Sequence, residues 1–270
     1  MQYIFLTDVD GTLLRRDVHL PPEVIHAAHT YTARGGLLSL CTGRSLLAAR
    51  EIAAQLGVNA PSILYGGAEI YHFQEERCLA SFPFSWDVMQ AVRHVLADEP
   101  DVSVQVFTQK RSYLLRRNQK LEAWGVLEEL QEPAVSPDQV SGPILKIGMC
   151  CENPQRLQSC RQYFPEGLCN FSFSSRTFVD VVAANCGKRQ AMEYLSESLR
   201  IPFQAFFCAG DAITDLPVLQ RAGISFAPQD AMDEVKAAVS VVVPSVKHCG
   251  MAAAFAYASD CLRREAERTL

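Results

Sequence analysis

The segment FLTDVDGTLL, Phe5 to Leu14, sets two carboxylates, Asp8 and Asp10, in an otherwise uncharged run close to the first residue of the sequence. A lone carboxylate is costly to bury, so a buried strand carrying two of them calls for a partner. Side chains two apart in a strand point to the same side. If Asp8 ends a first strand, both acids face the crevice at its C-terminal end, where open parallel sheets bind ligands. Gly11 allows a tight turn directly after them. The two acids repel each other unless a cation or a proton intervenes.

Outward from this segment, apolar runs alternate with helical patterns. YIFLT, GLLSLCT and SILYGG read as buried strands. PPEVIHAAHTYTARG and SLLAAREIAAQLG between them read as helices, the first opened by Pro and both closed by Gly. This alternation implies right-handed crossovers and a parallel sheet covered on both faces. AEIYHF and RCLASF form a hairpin across the polar QEE. From residue 83 to residue 184 the rhythm changes. VSVQVF, SYLLRR, ILKIGMCC, NFSFSS and TFVDVVAA read as strands, and SWDVMQAVRHVLAD and NPQRLQSCRQYF as helices, which suits an antiparallel sheet with helices on one face. After Gly187 the first rhythm returns, and the chain closes on the helical GMAAAFAYASDCLRREAERTL. The expected fold is α/β: a Rossmann-like parallel-sheet core built from residues 1–82 and 185–270, with an inserted α+β cap domain at 83–184.

Composition narrows the function. With 49% apolar residues over 270 positions the chain has ample material for a core, and disorder is excluded. The formal charge of -5 argues against a nucleic-acid surface. There is no run of about 18 apolar residues, so no membrane span is expected, and no signal peptide is read at the start. The ten cysteines are scattered without a CxxC pair, several of them (Cys41, Cys150, Cys208) inside strand-like runs. They read as reduced core thiols of a cytoplasmic protein.

A second acidic pair stands in CAGDAITD, where Asp211 follows a buried strand and Asp215 comes four residues later. Carboxylate oxygens together with backbone and water suit Mg2+, a hard cation. LCTGRS ends the second strand with Thr42, Gly43 and Arg44, whose hydroxyl and backbone N–H groups suit phosphate oxygens. Gly66 and Gly67 after the third strand permit close backbone approach. Lys188 opens a helix, where it opposes the helix dipole and favours an anion. Plainer roles stand beside these. A calcium loop starting at Asp8 would need Gly and Glu where Leu13 and His19 stand, which excludes it. Thr42 also suits a helix cap, Arg44 a surface ion pair, and Asp215 the favourable acid at a helix start. The basic QKRSYLLRR, residues 109–117, reads as a solvated hairpin ahead of a substrate loop. Asp180, within FVDVV, faces either the cleft or a buried partner.

These motifs together resemble the haloacid dehalogenase superfamily, and within it the Cof-type phosphatases with a large C2-type cap. DxDGT is Asp8-Val9-Asp10-Gly11-Thr12, the second-motif Thr is Thr42, the third-motif Lys is Lys188 in KRQAM, and GDxxxD runs from Gly210-Asp211 to Asp215. The resemblance covers nearly the whole chain. It implies an aspartyl-phosphate enzyme acting on a small phosphorylated metabolite such as a sugar phosphate. Asp8 would be the nucleophile and Asp10 the acid and base. Mg2+ would sit on Asp8, the Asp10 carbonyl and Asp211, with Asp215 in support. Thr42, Gly43 and Lys188 would hold phosphate, with Arg44, Gly67 and Thr214 toward the substrate. The sequence departs from the family where Asn is usual, at Gly66 and at Thr214. A phosphomannomutase-like enzyme and an inactive phosphometabolite sensor are the rival readings.

Overall fold

β1 (Ile4–Thr7) is buried along its whole length and lies inside a parallel sheet. The computed structural model describes residues 2–15, 19–123 and 133–269. In chain order the other strands are β2 (Leu37–Leu40), β3 (Ser62–Leu64), β4 (Glu69–His72), β5 (Arg77–Ser81), β6 (Ser103–Thr108), β7 (Ser112–Arg116), β8 (Ile144–Cys150), β9 (Cys169–Ser175), β10 (Phe178–Ala183), β11 (Phe206–Ala209), β12 (Ile224–Pro228) and β13 (Val241–Val243). The helices are α1 (Pro22–Ala33), α2 (Leu46–Leu56), α3 (Val88–Asp98), α4 (Gln119–Ala123), α5 (Pro154–Ser159), α6 (Lys188–Leu199), α7 (Leu216–Leu219), α8 (Asp233–Ala238) and α9 (Gly250–Thr269).

The first sheet has the order β13-β12-β11-β1-β2, parallel throughout. Both of its faces are covered, which is why β1 reads as a continuous apolar run. Phe5 packs on one face with Tyr31 of α1, Phe226 of β12 and Phe255 of α9. Ile4 and Leu6 enter the opposite cluster with Met192 and Leu195 of α6 and Val218 of α7. The register sets Thr7 beside Leu40 on one side and Ala209 on the other. Asp8, Thr42 and Asp211, one or two residues further along each strand, therefore emerge at a common edge.

The third expected parallel strand departs from the expectation. β3 forms an antiparallel sheet with β4 and β5, and it keeps the expected parallel direction beside the end of β2 through one bridge, between Cys41 and Ile63. Side chains replace the missing ladder: Leu38 N–H donates to Asn59 Oδ1 at 2.7 Å and Leu40 N–H to Ser62 Oγ at 3.1 Å. With its edge groups satisfied in this way, β2 needs no further strand.

Gly66 and Gly67 follow β3 with φ values of 70° and 111°. At Gly67 a Cβ would come within 2.2 Å of the Gly187 carbonyl carbon, directly before α6. Gly67→Ala is expected to lower stability by about 2–4 kcal/mol, combining left-handed strain with overpacking. Gly35, with φ 86° and open space around it, supplies the comparison. Urea unfolding should give Gly35→Ala a loss of only about 1–2 kcal/mol; equal losses at the two sites would contradict the crowding at Gly67.

The second five-stranded sheet is antiparallel, with the order β7-β6-β8-β10-β9. One face packs Val104, Val106, Ile147, Met149, Val179 and Val181 against residues of α3 and α5. The other face carries Gln105, Lys146 and Asp180 toward the core. This is the inserted α+β part; residues 124–132 of the expected 83–184 segment lie outside the described residues. No helix among the described residues is long and apolar enough to cross a membrane.

Candidate active site

The carboxyl ends of β1, β2 and β11 and the first turn of α6 meet beneath the polar face of the second sheet. A cleft of about 1420 Å³ opens between them, lined by Asp8, Asp10, Thr42, Gly43, Arg44, Lys188, Asp211, Thr214 and Asp215, all expected from the sequence, and by Gly66. Gly67 is the exception: it packs against Gly187 and does not line this cleft. None of the basic residues of the 109–117 hairpin lines it either.

Asp8 lies one residue beyond β1 and is 7% exposed. Its N–H donates to Ala209 O at 2.9 Å, which ties it to β11. Lys188 Nζ lies 2.8 Å from Asp8 Oδ1 and 2.5 Å from Asp215 Oδ1. Asp215 is buried and accepts through Oδ2 from the N–H groups of Asp211 and Ala212 at 3.2 and 3.1 Å. Thr12, also buried, donates to Asp211 Oδ1 at 3.0 Å. A Cβ on Gly11 would fall 2.3 Å from Asp211 Oδ2, so the Gly after the acidic pair serves close approach as well as the φ of 86°.

Burial pushes the Asp8 carboxyl well above the usual carboxylate range; Lys188 opposes the shift, and Asp215 and Asp211 add to it. Burial and then Asp215 raise Asp211 to about 7. Burial works against the charge on Lys188, but Asp215 and Asp8 outweigh it and hold the ammonium well above the ordinary lysine value. One ammonium therefore faces three carboxylates. Asp8, Asp211 and Asp215 each bring an oxygen within 4.8 Å of the others. An all-oxygen donor set with uncompensated negative charge fits a hard divalent cation.

Asp10 stands slightly outside this group. Arg44 Nε and Nη2 donate to its two oxygens at 2.8 and 2.7 Å, a bidentate pair that fixes the carboxylate's orientation. Arg44 thus pairs with an acid, and that acid lines the cleft. The cap of α2 is Ser45, which accepts from Ala48 N–H at 3.2 Å, so Thr42 is not the helix cap. Thr42 Oγ1 accepts from Arg44 N–H at 3.1 Å; as a hydroxyl it still has a proton to donate.

From the second sheet, Lys146 Nζ donates to Gly43 O at 2.8 Å and pairs with Asp180 Oδ1 at 3.1 Å. Asp180 therefore has both of its anticipated environments, the cleft and a charged partner. Lys146 and Gln105, which also line the cleft, were not singled out in the sequence. Their signal was a polar side chain inside an apolar run: Lys146 in ILKIGMCC, and Gln105, two residues after Ser103, in VSVQVF.

A model of haloacid dehalogenase-like hydrolases matches residues 5–255. The HMP-PP phosphatase of Serratia proteamaculans (strain 568) is 25% identical over 270 residues, covering 95% of this chain and 94% of the relative. That of Cronobacter sakazakii is 27% identical over 263 residues, covering 94% of each. Among solved structures, a HAD subclass IIB sugar phosphatase superposes with a TM-score of 0.81 at 19% identity, over 95% of this chain and 98% of that one. A haloacid dehalogenase-like hydrolase from Bacteroides thetaiotaomicron gives 0.82 at 17%, over 95% and 99%.

Proposed function

Because the chain belongs to the haloacid dehalogenase-like hydrolase family, we propose that it is a Mg2+-dependent phosphatase of small phosphomonoesters, working through an aspartyl-phosphate on Asp8. The observation that carries this is the Lys188 ammonium set between Asp8 and Asp215 at the strand ends, beside Asp211.

Asp8 attacks phosphorus while the bond to the leaving oxygen breaks, and Asp10 gives that oxygen a proton. Asp10 then takes a proton from water as the water attacks the aspartyl-phosphate, which releases phosphate and restores Asp8. Lys188 and the Thr42 hydroxyl hold the transferring group, since phosphoryl transfer rests mainly on positioning and electrostatics. Arg44 orients Asp10. Magnesium, held by Asp8, the Asp10 carbonyl and Asp211 with Asp215 in support, would supply positive charge for an anionic nucleophile meeting an anionic phosphate. The segment 83–184 serves as a cap that excludes water and reads the organic part of the substrate. Relatives named as HMP-PP phosphatases and a structural neighbour named as a sugar phosphatase support a small phosphorylated metabolite, with sugar phosphates or similar monoesters as the class.

A phosphate-release screen over phosphorylated metabolites, with Mg2+ or with chelator, tests the reading. Release without any sugar acceptor is expected, and only with the metal. Activity that survives complete chelation contradicts the metal, and no turnover of any ester contradicts the enzyme.

Asp211 gives the metal a pH dependence. Its folded value of about 7 lies above the ordinary aspartate value of 3.8, so between those values the native state binds more protons than the unfolded chain. Metal-free stability from this group therefore falls as pH rises through that window. Mg2+ replaces the proton and should stabilise more at pH 8 than at pH 5.5. At a hundredfold excess over Kd the gain is about 2.7 kcal/mol, roughly 5–10 °C in Tm for a chain of this size. Thermal unfolding at the two pH values checks this; equal shifts contradict it.

A further inference from the structure

The face of the second sheet that looks into the cleft carries a polar row. By register, Gln105 of β6 stands beside Gly148 of β8, Gly148 beside Asp180 of β10, and Asp180 beside Ser172 of β9. All four line the cleft. Gly148 leaves a hollow in this row. A methyl group there would lie 3.1 Å from Phe107 Cε2, 3.7 Å from Asp180 Oδ1 and 3.9 Å from Gln105 Cβ, so these three residues wall a notch. Asp180 is fixed at its lower edge. Lys146 holds Oδ1, and Oδ2 stands 3.4 Å from where a Cβ of Gly43 would be, directly over the loop that carries Thr42.

Gln105 is 8% exposed and lines the cleft, and its amide makes no hydrogen bond to a described residue, so its donating and accepting ends both remain open to a ligand there.

We propose that the notch formed by Gln105, Gly148 and Asp180 is the leaving-group subsite, and that it takes an uncharged polar group presenting a hydrogen-bond donor beside an acceptor. This rests on the phosphatase reading above. A side-chain amide offers one donating and one accepting end, and it pairs with a matching edge through two parallel bonds. Asp180 accepts from a hydroxyl or amine. Lys146 is already committed to Asp180 and Gly43, so a carboxylate or second phosphate in the notch would face Asp180 without a cation of its own.

The test compares phosphate release from three groups of esters. The first has uncharged polar leaving groups: hexose phosphates, N-acetylhexosamine phosphates and nucleoside monophosphates. The second has anionic ones: phosphoglycerate and hexose bisphosphates. Phenyl phosphate is the third, and acetyl phosphate reports the chemistry alone. The best substrate is expected in the first group. Gln105→Leu and Gly148→Ala should lower its kcat/KM about tenfold or more, chiefly through KM, while phenyl phosphate loses less than about threefold, as expected if one hydrogen-bonded contact is removed. Gln105→Glu, which keeps the size but replaces the donor with a charge, should lose as much as the Leu variant; circular dichroism checks that each variant is folded. A best substrate with an anionic leaving group, or equal losses on both esters, overturns the subsite. Wild-type protein that releases phosphate from no ester and not from acetyl phosphate overturns the phosphatase reading, and the subsite with it.

Discussion

Asp8→Asn is expected to slow phosphate release by at least about 10⁴-fold with every substrate, because removal of a nucleophile leaves only binding and electrostatics. The amide that replaces the acid cannot form the acyl-phosphate bond, although it has nearly the same shape. Stability should change little. The substitution removes a carboxyl that burial already disfavours as an anion, and it weakens one of the two contacts of Lys188. Melting within a few degrees of wild type, with activity gone, separates lost chemistry from lost fold. Activity within tenfold of wild type would contradict the assignment.

Lys188→Met should show both effects at once. Loss of the cation on the transferring group is expected to cost about 10²–10³-fold or more in kcat, as for other preorganised charge partners. The variant also leaves Asp8 and Asp215 buried without the ammonium that lies between them. Breaking a buried pair from one side costs about 3–5 kcal/mol. The loss should be largest with chelator at pH 8. It should shrink toward pH 5, because carboxyls whose folded pKa is raised take up protons there and the native state gains stability as pH falls. Lys188→Arg should recover part of the stability without recovering the rate, since the planar guanidinium cannot occupy the same point between two acids. Unfolding curves at the two pH values decide this, and an unchanged midpoint at pH 8 would contradict a buried ion pair.

Much of the core could be read because it is local. Continuous apolar runs such as IFLT and FFCA mark strands covered on both faces, and each is followed by a helical pattern. Asp8 and Asp211 stand out because charge at the end of such a run has no packing reason to be there, and Lys188 because it opposes the dipole of the helix it opens. β3 was misjudged as a full member of the parallel sheet. Three residues leave no periodicity to read, and the substitution of Asn59 and Ser62 for a ladder is a tertiary event. The same holds for Gly67. The sequence implies close backbone approach there, and the backbone that approaches is that of Gly187, 120 positions away, rather than a substrate. The pairing of Arg44 with Asp10 joins residues 34 apart, and Lys146 reaches Gly43 across 103 positions. Contacts of that kind depend on how the second sheet sits over the first, so the polarity of Gln105 and Lys146 within apolar strands does not by itself say what they face.

The proposed reaction passes through a covalent phosphoryl group on Asp8. Protein acid-quenched during turnover of a labelled ester, digested and sequenced by mass spectrometry, should carry the phosphoryl group on the peptide that contains Asp8. Borohydride treatment before digestion should reduce that acyl-phosphate and leave homoserine at position 8, and neither signal should appear in Asp8→Asn. Steady phosphate release with no modification at Asp8, or with modification at another residue, would contradict the account.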